Sequence, residues 1–389
     1  MTFLRTLAIA VGMAASCAAF AHAGGVDSIN PDVAKRLYNP DMLDPAQPVA
    51  ASPLQDFKAK NPPPWKIGYA SSYAGNTWRA GAMDELQNEI IPKWKELGLI
   101  SDVVITQSNL NDSTQIQQMR QLVDQGVDAI FVCCSNPTAL NQTVQYAYDK
   151  GVPVFSMTGY LTAPSAMNSS VNYQVAGFEI GKRLAEELGG EGNVLVVEGI
   201  PGTSGSDSQD RGVKAGLATA PGIKIVGSVA GMWTDQIAQG EVQKWLATHP
   251  GKLDAIAVQS AAEMGVLRAL KQSGRTGVKV TVGGELGALC TWRKNPDLID
   301  AAVQTWPPGD DVQLIWDVMM RTLQGQGPKI QSVLVDPVVL TYDDVAKILP
   351  EDCDENSQAW LNVGKDNWGS EAYLNDFFMK PADPTAYKP

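Results

Sequence analysis

The chain has 389 residues, and its 42 acidic and 30 basic side chains give a formal net charge of −12 at pH 7. Such an acidic chain offers no basic stripe that could displace counterions from phosphates, which argues against binding to nucleic acid or to anionic lipid. Apolar residues at 44% and charged residues at 19% exclude global disorder, and a chain of this length usually forms two domains.

The first 23 residues have the pattern of an export signal. An apolar run over residues 7–20 is followed by Ala21-His22-Ala23, the small-residue pattern that signal peptidase cleaves after. We expect cleavage after Ala23, a mature chain that begins at Gly24, and residence in the periplasm. A membrane anchor is one alternative, but the run is short for a bilayer. Lipidation of Cys17 is another, and it would need leucine or a similar residue where Ala14 stands.

Residues 24–64 are predicted to form a proline-rich linker. Prolines at this density disfavour helix and sheet alike, because each lacks the backbone N–H that both structures use. A short helix over residues 32–37 is compatible with the pattern, but we expect no core from this segment. The prolines are Pro31, Pro40, Pro45, Pro48, Pro53 and Pro62-Pro63-Pro64.

Short apolar strands alternate with amphipathic helices from Trp65 to about residue 340. In the first stretch the predicted strands are 66–70, 103–106, 128–132 and 153–157, and the predicted helices are 76–97, 113–125 and 137–150. In the second stretch the strands are 193–198, 223–229, 253–258, 278–282 and 298–305, and the helices are 175–188, 209–217, 234–247 and 261–273. This alternation predicts an α/β fold of two doubly wound lobes with parallel sheets. In such folds the ligand lies at the carboxyl ends of the strands.

A polar turn after the first predicted strand carries four candidate ligand-binding residues. Asn76 is placed to cap the next helix, and together with Ser72 it can bind hydroxyl groups. Trp78 offers a flat face for stacking, and Arg79 offers a charged donor. The alternative is a capped helix with Trp78 in the core.

Cys133 and Cys134 stand side by side after the third predicted strand. A disulfide between them would give the cleft a rigid apolar floor. Two buried thiols are the alternative, since free cysteine packs well in protein interiors. Cys290 and Cys353 also remain after signal cleavage, so the even count permits two disulfides in an oxidising compartment.

The later strand ends add further polar and aromatic candidates. The glycine-rich loop 199–205 lacks the pattern of a nucleotide-binding loop, so it predicts a close approach of backbone to ligand, with Arg211 as a bidentate donor. The remaining candidates after predicted strands are Trp233, Gln259, Glu285, Gln304, Thr305 and Trp306. Gln304, Thr305 and Trp306 lead from a predicted strand into two prolines, a pattern typical of a chain segment that passes from one lobe to the other. Amides, hydroxyls, arginines and tryptophans suit a polyhydroxylated small molecule.

No candidate set supports catalysis, a metal or a cofactor. His249 is the one histidine of the predicted mature chain, and it lies in the helix-end sequence Thr248-His249-Pro250. A glycosidase needs two carboxylates across the bond, and only Glu285 stands among the strand-end candidates. An exported carbohydrate-active enzyme is therefore the least supported function. Neither a Cys/His cluster for zinc nor an acidic calcium loop is present in the sequence.

Several short stretches between residues 65 and 340 are together characteristic of one family. They are Gln125-Gly126-Val127-Asp128-Ala129-Ile130, Gly151-Val152-Pro153-Val154, Val197-Glu198-Gly199-Ile200-Pro201-Gly202-Thr203-Ser204, Asp210-Arg211-Gly212 and Gly265-Val266-Leu267-Arg268-Ala269-Leu270. On these residues the chain resembles the periplasmic sugar-binding proteins of the ribose/galactose type, which serve ABC importers. The resemblance implies a monomer with a membrane permease as its partner. A receptor that presents its ligand to a membrane sensor is the alternative role.

The resemblance also implies a type I periplasmic binding fold with two lobes joined by a three-strand hinge and the sugar between them. The first lobe would comprise residues 65–171 with 308–336, and the second 172–307 with 337–345. Residues 346–389 would form a tail that packs on a lobe. The implied ligand positions are Ser72, Asn76, Trp78, Arg79, Arg211, Trp233, Gln259, Glu285 and Gln304 or Thr305.

The chain departs from this family pattern at several ligand positions. Thr158-Gly159 stands where an Asp-Arg pair is usual, which argues against ribose or glucose and adds Thr158 to the candidates. Arg79 replaces an aromatic residue, Gln259 an asparagine and Glu285 an aspartate. The candidate ligand positions contain two arginines, Arg79 and Arg211, and one carboxylate, Glu285. We therefore consider a sugar acid as a candidate ligand in addition to neutral sugars and polyols.

The tail from about residue 341 is longer than the family's usual one. It carries the aromatic residues Trp360, Trp368, Tyr373, Phe377 and Phe378, which we expect to wrap back over a lobe. A Cys290–Cys353 disulfide would pin this tail, and two buried thiols are the alternative.

Overall fold

The computed structural model describes residues 25–133, 136–297, 302–304, 306–362 and 371–382. The predicted signal segment, with its cleavage after Ala23, lies outside these residues. Within the described ranges, no helix combines the length and the apolar character that crossing a bilayer requires. The described chain forms two lobes with parallel sheets, which confirms the predicted α/β fold class.

Strands and helices alternate along most of the chain. The strands are β1 (Trp65–Ser71), β2 (Ile100–Gln107), β3 (Ala129–Cys133), β4 (Val154–Met157), β5 (Ala166–Val171), β6 (Glu191–Glu198), β7 (Gly222–Ala230), β8 (Ala255–Val258), β9 (Lys279–Val280), β10 (Ala302–Gln304), β11 (Ser332–Val335) and β12 (Val338–Leu340). The helices are α1 (Pro31–Leu37), α2 (Thr77–Asp84), α3 (Ile91–Glu96), α4 (Asp112–Asp124), α5 (Asn141–Asp149), α6 (Tyr173–Glu187), α7 (Ser204–Leu217), α8 (Asp235–Thr248), α9 (Glu263–Gln272), α10 (Leu286–Lys294), α11 (Pro308–Leu323), α12 (Tyr342–Ile348) and α13 (Glu371–Asp376).

The first lobe is built on a six-stranded sheet in the order β11-β5-β4-β3-β1-β2, and every pair in it is parallel. Its core is aromatic: the rings of Tyr69 and Phe131 stack at 4.2 Å, and Trp316 of α11 meets Phe131 edge-on at 6.0 Å. On the opposite face, Leu122 of α4 and Val144 of α5 are buried in a second apolar cluster. Cover on both faces explains why the central strand β3 is a continuous apolar run.

The second lobe is built on the parallel sheet β7-β6-β8-β9. Residues of α6 and α7 form one buried cluster with its strands, and residues of α8 and α9 form another. The backbones of α6 and α7 touch at glycines: a Cβ on Gly177 would lie 2.0 Å from the Gln209 carbonyl oxygen, and one on Gly212 would lie 2.1 Å from the Gln174 carbonyl oxygen. This close approach fixes the N-terminal half of α7, which carries site residues.

Some predicted strands differ from the observed ones. The described part of the predicted strand 298–305 is β10, which pairs antiparallel with β12, so its predicted place in the second parallel sheet is wrong. The sequence pattern also fails to predict β5 and β11. β5 is rich in polar residues, yet it is fully buried, and a loop satisfies the side chain of its asparagine. Asn168 Oδ1 accepts a hydrogen bond from the Leu161 amide at 2.9 Å.

The expectation that residues 24–64 contribute no core is wrong. Leu37, at the end of α1, and Leu54 are fully buried in the first-lobe core. The Tyr38 hydroxyl accepts a hydrogen bond from the Leu334 amide at 2.9 Å and donates one to the Ser332 carbonyl at 2.7 Å. The segment therefore covers β11, the edge strand of the first sheet. Its prolines prevent long helices or strands, but apolar side chains between them still anchor the chain.

The C-terminal tail contacts both lobes. The predicted disulfide between Cys290 of α10 and Cys353 is confirmed and ties the tail to the second lobe. Farther along, Phe377 and Phe378 are buried in the first-lobe core, so the tail does not wrap over a single lobe. Trp368 lies outside the described residues.

Candidate functional site

A cavity lies between the lobes, at the carboxyl ends of β1, β4, β7 and β8. Together with the solvent space at its opening, it measures about 390 Å³. The first lobe lines it with Asn76, Trp78, Arg79 and Thr158, the second with Tyr173, Gln209, Trp233, Ser260 and Ala261, and the tail with Trp360. The sequence thus predicted Asn76, Trp78, Arg79, Thr158 and Trp233 at the site, and the structure brings them together.

A charged, hydrogen-bonded set forms the first-lobe side of the cavity. Arg79 is only 6% exposed, and its Nη1 lies 3.4 Å from Thr158 Oγ1. The Thr158 hydroxyl donates to Asp311 Oδ2 at 2.7 Å, and Cys133 Sγ lies 3.6 Å from the same hydroxyl oxygen. Asp311 lies in the first turn of α11, where the helix dipole favours a negative charge. Arginine and carboxylate are thus supplied by different helices and meet at Thr158.

The aromatic walls are held in place by hydrogen bonds and close packing. Trp78 Nε1 donates to the Trp306 carbonyl at 2.8 Å, which fixes the indole under the Arg79 guanidinium at 4.7 Å. Trp233 packs over Gly199, where a Cβ would lie 2.2 Å from the indole. The site therefore presents rigid rings, which suits stacking against the C–H faces of a sugar or polyol.

The cavity also concentrates backbone strain. Among the described residues, six non-glycine residues have positive φ angles, and Thr158 (59°), Trp233 (52°) and Ala261 (61°) all line the cavity. Left-handed conformations of such residues persist where surrounding structure enforces them, and they cluster at functional sites.

Several buried polar atoms of the second lobe have no hydrogen-bond partner among the described residues, and two of them belong to residues that line the cavity. These two atoms are Ser260 Oγ and Gln209 Nε2. An unsatisfied buried polar atom costs about 1–3 kcal/mol, so such atoms are rare unless a ligand or water uses them. Both polar atoms of the Asn76 side chain, by contrast, have protein partners. Its Oδ1 caps α2, and its Nδ2 donates to the Trp233 carbonyl at 3.2 Å, across the cleft.

Other predicted site residues do not line the cavity. Gln259 is buried with its Oε1 accepting from the Gly199 amide at 2.9 Å, so it holds the 199–205 loop. The Arg211 guanidinium pairs with Asp44 of the N-terminal segment. Ser72 is buried, and its carbonyl accepts from the Leu110 amide at 2.6 Å. The Trp306 carbonyl accepts the hydrogen bond from Trp78.

The remaining candidates fall on positions that the structure does not fully describe. Cys134 and Thr305 lie outside the described residues, and so does the side chain of Gln304. Cys133 is buried. The Cys133–Cys134 disulfide and the ligand-binding roles of these residues stay predictions.

Glu285 lines a neighbouring groove with Thr77 and Trp233. Burial, followed by the charges of Glu263 and Asp235, raises the pKa of Glu285 to about 8, although a hydrogen bond from Thr77 acts in the opposite direction. Burial also raises the pKa of Glu263 to about 7. Glu285 therefore favours the protonated form in the folded protein at neutral pH, whereas Glu263 titrates close to neutral pH.

These pKa shifts predict a loss of stability as the pH rises. The folded-state pKa of Glu285 lies above its usual value of 4.5, so the folded protein keeps a proton that the unfolded chain releases. The stability from this group is full below pH 4.5 and is lost as the pH rises to about 8. We expect Glu285→Gln to flatten the fall of Tm between pH 5 and 8 in thermal-melt series. The variant Glu96→Gln, at an exposed position, should keep the wild-type slope. Equal slopes for all three proteins would contradict this prediction.

Sequence reasoning missed Tyr173, Gln209, Ser260, Ala261 and Trp360 as cavity residues. Gln209 and Ser260 are close neighbours of the predicted Arg211 and Gln259, so the correct elements were identified with the wrong side chains. Trp360 lies far along the chain in the tail, and no local pattern places it at the site.

Comparisons with known proteins identify the family. A family profile described as "Periplasmic binding protein domain" matches residues 67–327. A xylitol-binding protein of Mycolicibacterium smegmatis is 32% identical over 250 residues, which cover 63% of this chain and 70% of the relative. The galactofuranose-binding protein YtfQ of Escherichia coli is 25% identical over 224 residues, covering 54% of this chain and 67% of that protein.

Solved structures agree with these sequence matches. The crystal structure of an ABC transporter solute binding protein from Thermobispora bispora superposes with a TM-score of 0.67 and 26% identity, covering 77% of this chain and 92% of that chain. The Caulobacter myo-inositol binding protein, at a TM-score of 0.65 and 20% identity, covers 74% of this chain and 97% of its own, and it shows the shared fold. Because the family profile spans more than half of the sequence, the chain belongs to the periplasmic binding protein family.

Proposed function

We propose that this chain is an exported, monomeric solute-binding protein that encloses a neutral polyol or monosaccharide between its lobes and delivers it to the permease of an ABC importer. It binds and releases its ligand in the periplasm without chemical change. Residues 65–171 with 308–336 and 172–307 with 337–345 act as the two moving lobes. The names of its relatives, which include a xylitol-binding and a galactofuranose-binding protein, support this ligand class.

One observation carries the proposal: Ser260 and Gln209 line the interlobe cavity, and Ser260 Oγ and Gln209 Nε2 are buried without a hydrogen-bond partner among the described residues. A hydroxyl and an amide donor between tryptophan rings match a ligand that has both hydroxyl groups and C–H faces. Both atoms belong to the second lobe, while Arg79 and Thr158 face them from the first. A ligand that contacts both sides at once stabilises the closed form, which is what a permease can recognise.

The charges at the site favour a neutral ligand over a sugar acid. Arg211 is paired with Asp44, so it is not available to a ligand carboxylate. Arg79 is hydrogen-bonded to Thr158, which also binds the Asp311 carboxylate, so a carboxylate lies one hydroxyl group away from its positive charge. Glu285, which lines the neighbouring groove, has a pKa raised to about 8 by burial and favours the protonated form at neutral pH.

A thermal-shift and calorimetry panel tests this function on the mature chain. The panel contains xylitol, other pentitols and hexitols, myo-inositol, neutral pentoses and hexoses, and sugar acids. A ligand at a hundredfold excess over its Kd stabilises the folded state by about 2.7 kcal/mol, so a true ligand gives a clear rise in Tm. Stabilisation by a neutral polyol or sugar supports the proposal. Stabilisation by sugar acids alone, or by no member after removal of any retained ligand, overturns it.

Ser260→Ala makes the test specific to the cavity. Removal of an unsatisfied hydroxyl should raise the stability of the ligand-free protein by about 1 kcal/mol. The same change should weaken ligand binding roughly three- to tenfold, because the ligand loses a hydrogen bond. Ser273→Ala, at an exposed position on the second lobe, should leave the affinity unchanged. A Ser260→Ala variant that binds the ligand as tightly as the wild type would exclude this hydroxyl from the site.

A further inference from the structure

The described parts of the C-terminal tail, residues 341–362 and 371–382, lie on the second and the first lobe respectively. Helix α12 of the tail packs on α10, where the rings of Trp292 and Tyr342 meet edge-on at 5.9 Å. The later part of the tail joins the first lobe, and the Phe377 carbonyl accepts a hydrogen bond from the Lys329 amide at 2.7 Å. The described segment between these anchors includes Trp360, which lines the ligand cavity.

The segment before Trp360 is fixed to the second lobe. The Cys290–Cys353 disulfide holds its start, and Lys294 Nζ donates to the Cys353 carbonyl at 2.9 Å. Backbone hydrogen bonds then follow: the Gly287 amide donates to Ser357, the Leu286 amide to Ala359 at 2.8 Å, and the Leu361 amide to Gly284 at 2.9 Å. Gly287 is required here, since a Cβ would lie 2.7 Å from the Ser357 carbonyl oxygen.

The Trp360 side chain, in contrast, reaches the first lobe. Its Nε1 donates to Thr77 Oγ1 at 3.1 Å, and the Thr77 hydroxyl in turn bonds to Glu285 of the second lobe. The indole lines the cavity on one side and an outer groove with Thr77 and Pro308 on the other. It therefore stands as a partition between the ligand cavity and the outside.

We propose that Trp360 is a ligand-contacting residue that closes one wall of the cavity, and that the Cys290–Cys353 disulfide is the positioning element that presents it. The inference rests on the proposed function. The backbone of the segment belongs to the second lobe while the indole bonds to the first. The wall is therefore complete only in the closed form, and ligand stacking on the indole favours closure. The tail thus contributes to affinity and to selection among polyols by length and shape.

The experiment measures affinity for the neutral ligand with the largest shift in the panel, xylitol being the first probe. We expect Trp360→Ala to weaken binding at least tenfold, and Trp360→Phe to weaken it less than threefold because a ring remains. Trp245→Ala removes an indole that stacks on His249 on α8, away from the cavity, and should change affinity less than twofold. If Trp360→Ala binds like the wild type, the inference is overturned while the proposed function stands. If the wild type binds no member of the panel, both the proposed function and the inference about Trp360 are overturned.

A double-mutant cycle tests the role of the disulfide. Cys290→Ser with Cys353→Ser should weaken binding three- to tenfold in the wild-type background. In the Trp360→Ala background the same pair should have almost no further effect on affinity, because nothing remains to be positioned. A purely structural disulfide would lower Tm in both backgrounds and leave affinity unchanged or equally reduced, and that result would overturn the positioning role.

Discussion

Gly177→Ala is expected to lower the free energy of unfolding by about 3 kcal/mol or more and to reduce Tm by roughly 10 °C. The added Cβ would lie 2.0 Å from the Gln209 carbonyl oxygen and 2.8 Å from the Val213 amide nitrogen. Both neighbours are backbone atoms of α7, so no side-chain rotation can relieve the clash. The helices must separate, and this opens the buried cluster between them and the second sheet.

The same substitution should also weaken ligand binding. The clash falls at Gln209, whose side-chain amide lines the cavity, so displacement of α7 moves this donor away from the ligand. Gly216→Ala provides a comparison, because its Cβ would lie 2.3 Å from the Phe178 carbonyl oxygen, near the opposite end of α7. It should cost similar stability with a smaller effect on affinity.

Gly240→Ala is the matched control, measured by the same thermal and denaturant melts. Gly240 lies inside α8, and a Cβ there would meet no atom within 4 Å. Alanine has the higher helix propensity by about 1 kcal/mol, so this variant should be neutral or slightly more stable. If Gly177→Ala and Gly240→Ala gave the same Tm, the backbone contact between α6 and α7 would not exist as described.

The alternation of strand and helix made the two-lobed architecture predictable, because both sheets are parallel and bury both faces. The rule that ligands lie at strand carboxyl ends then selected the correct turns. This rule did not identify which side chains of an element line the cavity, because that depends on the direction in which each side chain points. Gln209 and Arg211 are two residues apart on α7, so they face nearly opposite directions on the helix. Gln209 faces the cavity, and Arg211 faces Asp44.

The parts that the sequence could not predict depend on tertiary contacts. β5 contains Asn168 and is polar, so its burial follows from partners that local patterns do not reveal. Trp360 lies at the cavity in a tail segment that is held by a disulfide and by backbone hydrogen bonds to residues distant in the sequence. The N-terminal segment reads as a linker because of its prolines, but Leu37 and Leu54 anchor it in the core.

Asp44→Ala is expected to destabilise the folded protein by about 2–3 kcal/mol and to shift the lobes toward an open arrangement. Asp44 Oδ2 accepts hydrogen bonds from the Tyr160 hydroxyl at 2.7 Å and the Ser208 hydroxyl at 2.5 Å, and it pairs with Arg211. Tyr160 lies in the loop after β4 of the first lobe, whereas Ser208 and Arg211 belong to α7 of the second. One carboxylate of the N-terminal segment therefore joins both lobes.

The size of the expected loss of stability follows from the burial of the Asp44 side chain. The Asp44 side chain is 6% exposed, so its removal leaves the Tyr160 hydroxyl without its carboxylate acceptor, whereas the Ser208 hydroxyl can still donate to the Ser204 carbonyl at 2.6 Å. Burial, followed by the charge of Asp207, raises the pKa of Tyr160 to about 12, so this phenol stays a donor throughout the physiological range. The Arg211 side chain is 43% exposed, and water replaces most of its lost partner, so the ion pair itself adds little.

Two measurements distinguish a link between the lobes from a merely local contact. Small-angle scattering of ligand-free Asp44→Ala should give a larger radius of gyration than the wild type. Affinity for the panel ligand should fall, since the closed form that binds it is less populated. Asp336→Ala is the control, because it removes an aspartate from an exposed pair with Arg36 and should change stability by no more than about 0.5 kcal/mol. Were Asp44→Ala to lose stability without change in scattering or affinity, the Asp44 cluster would hold only the N-terminal segment and would have no part in closure.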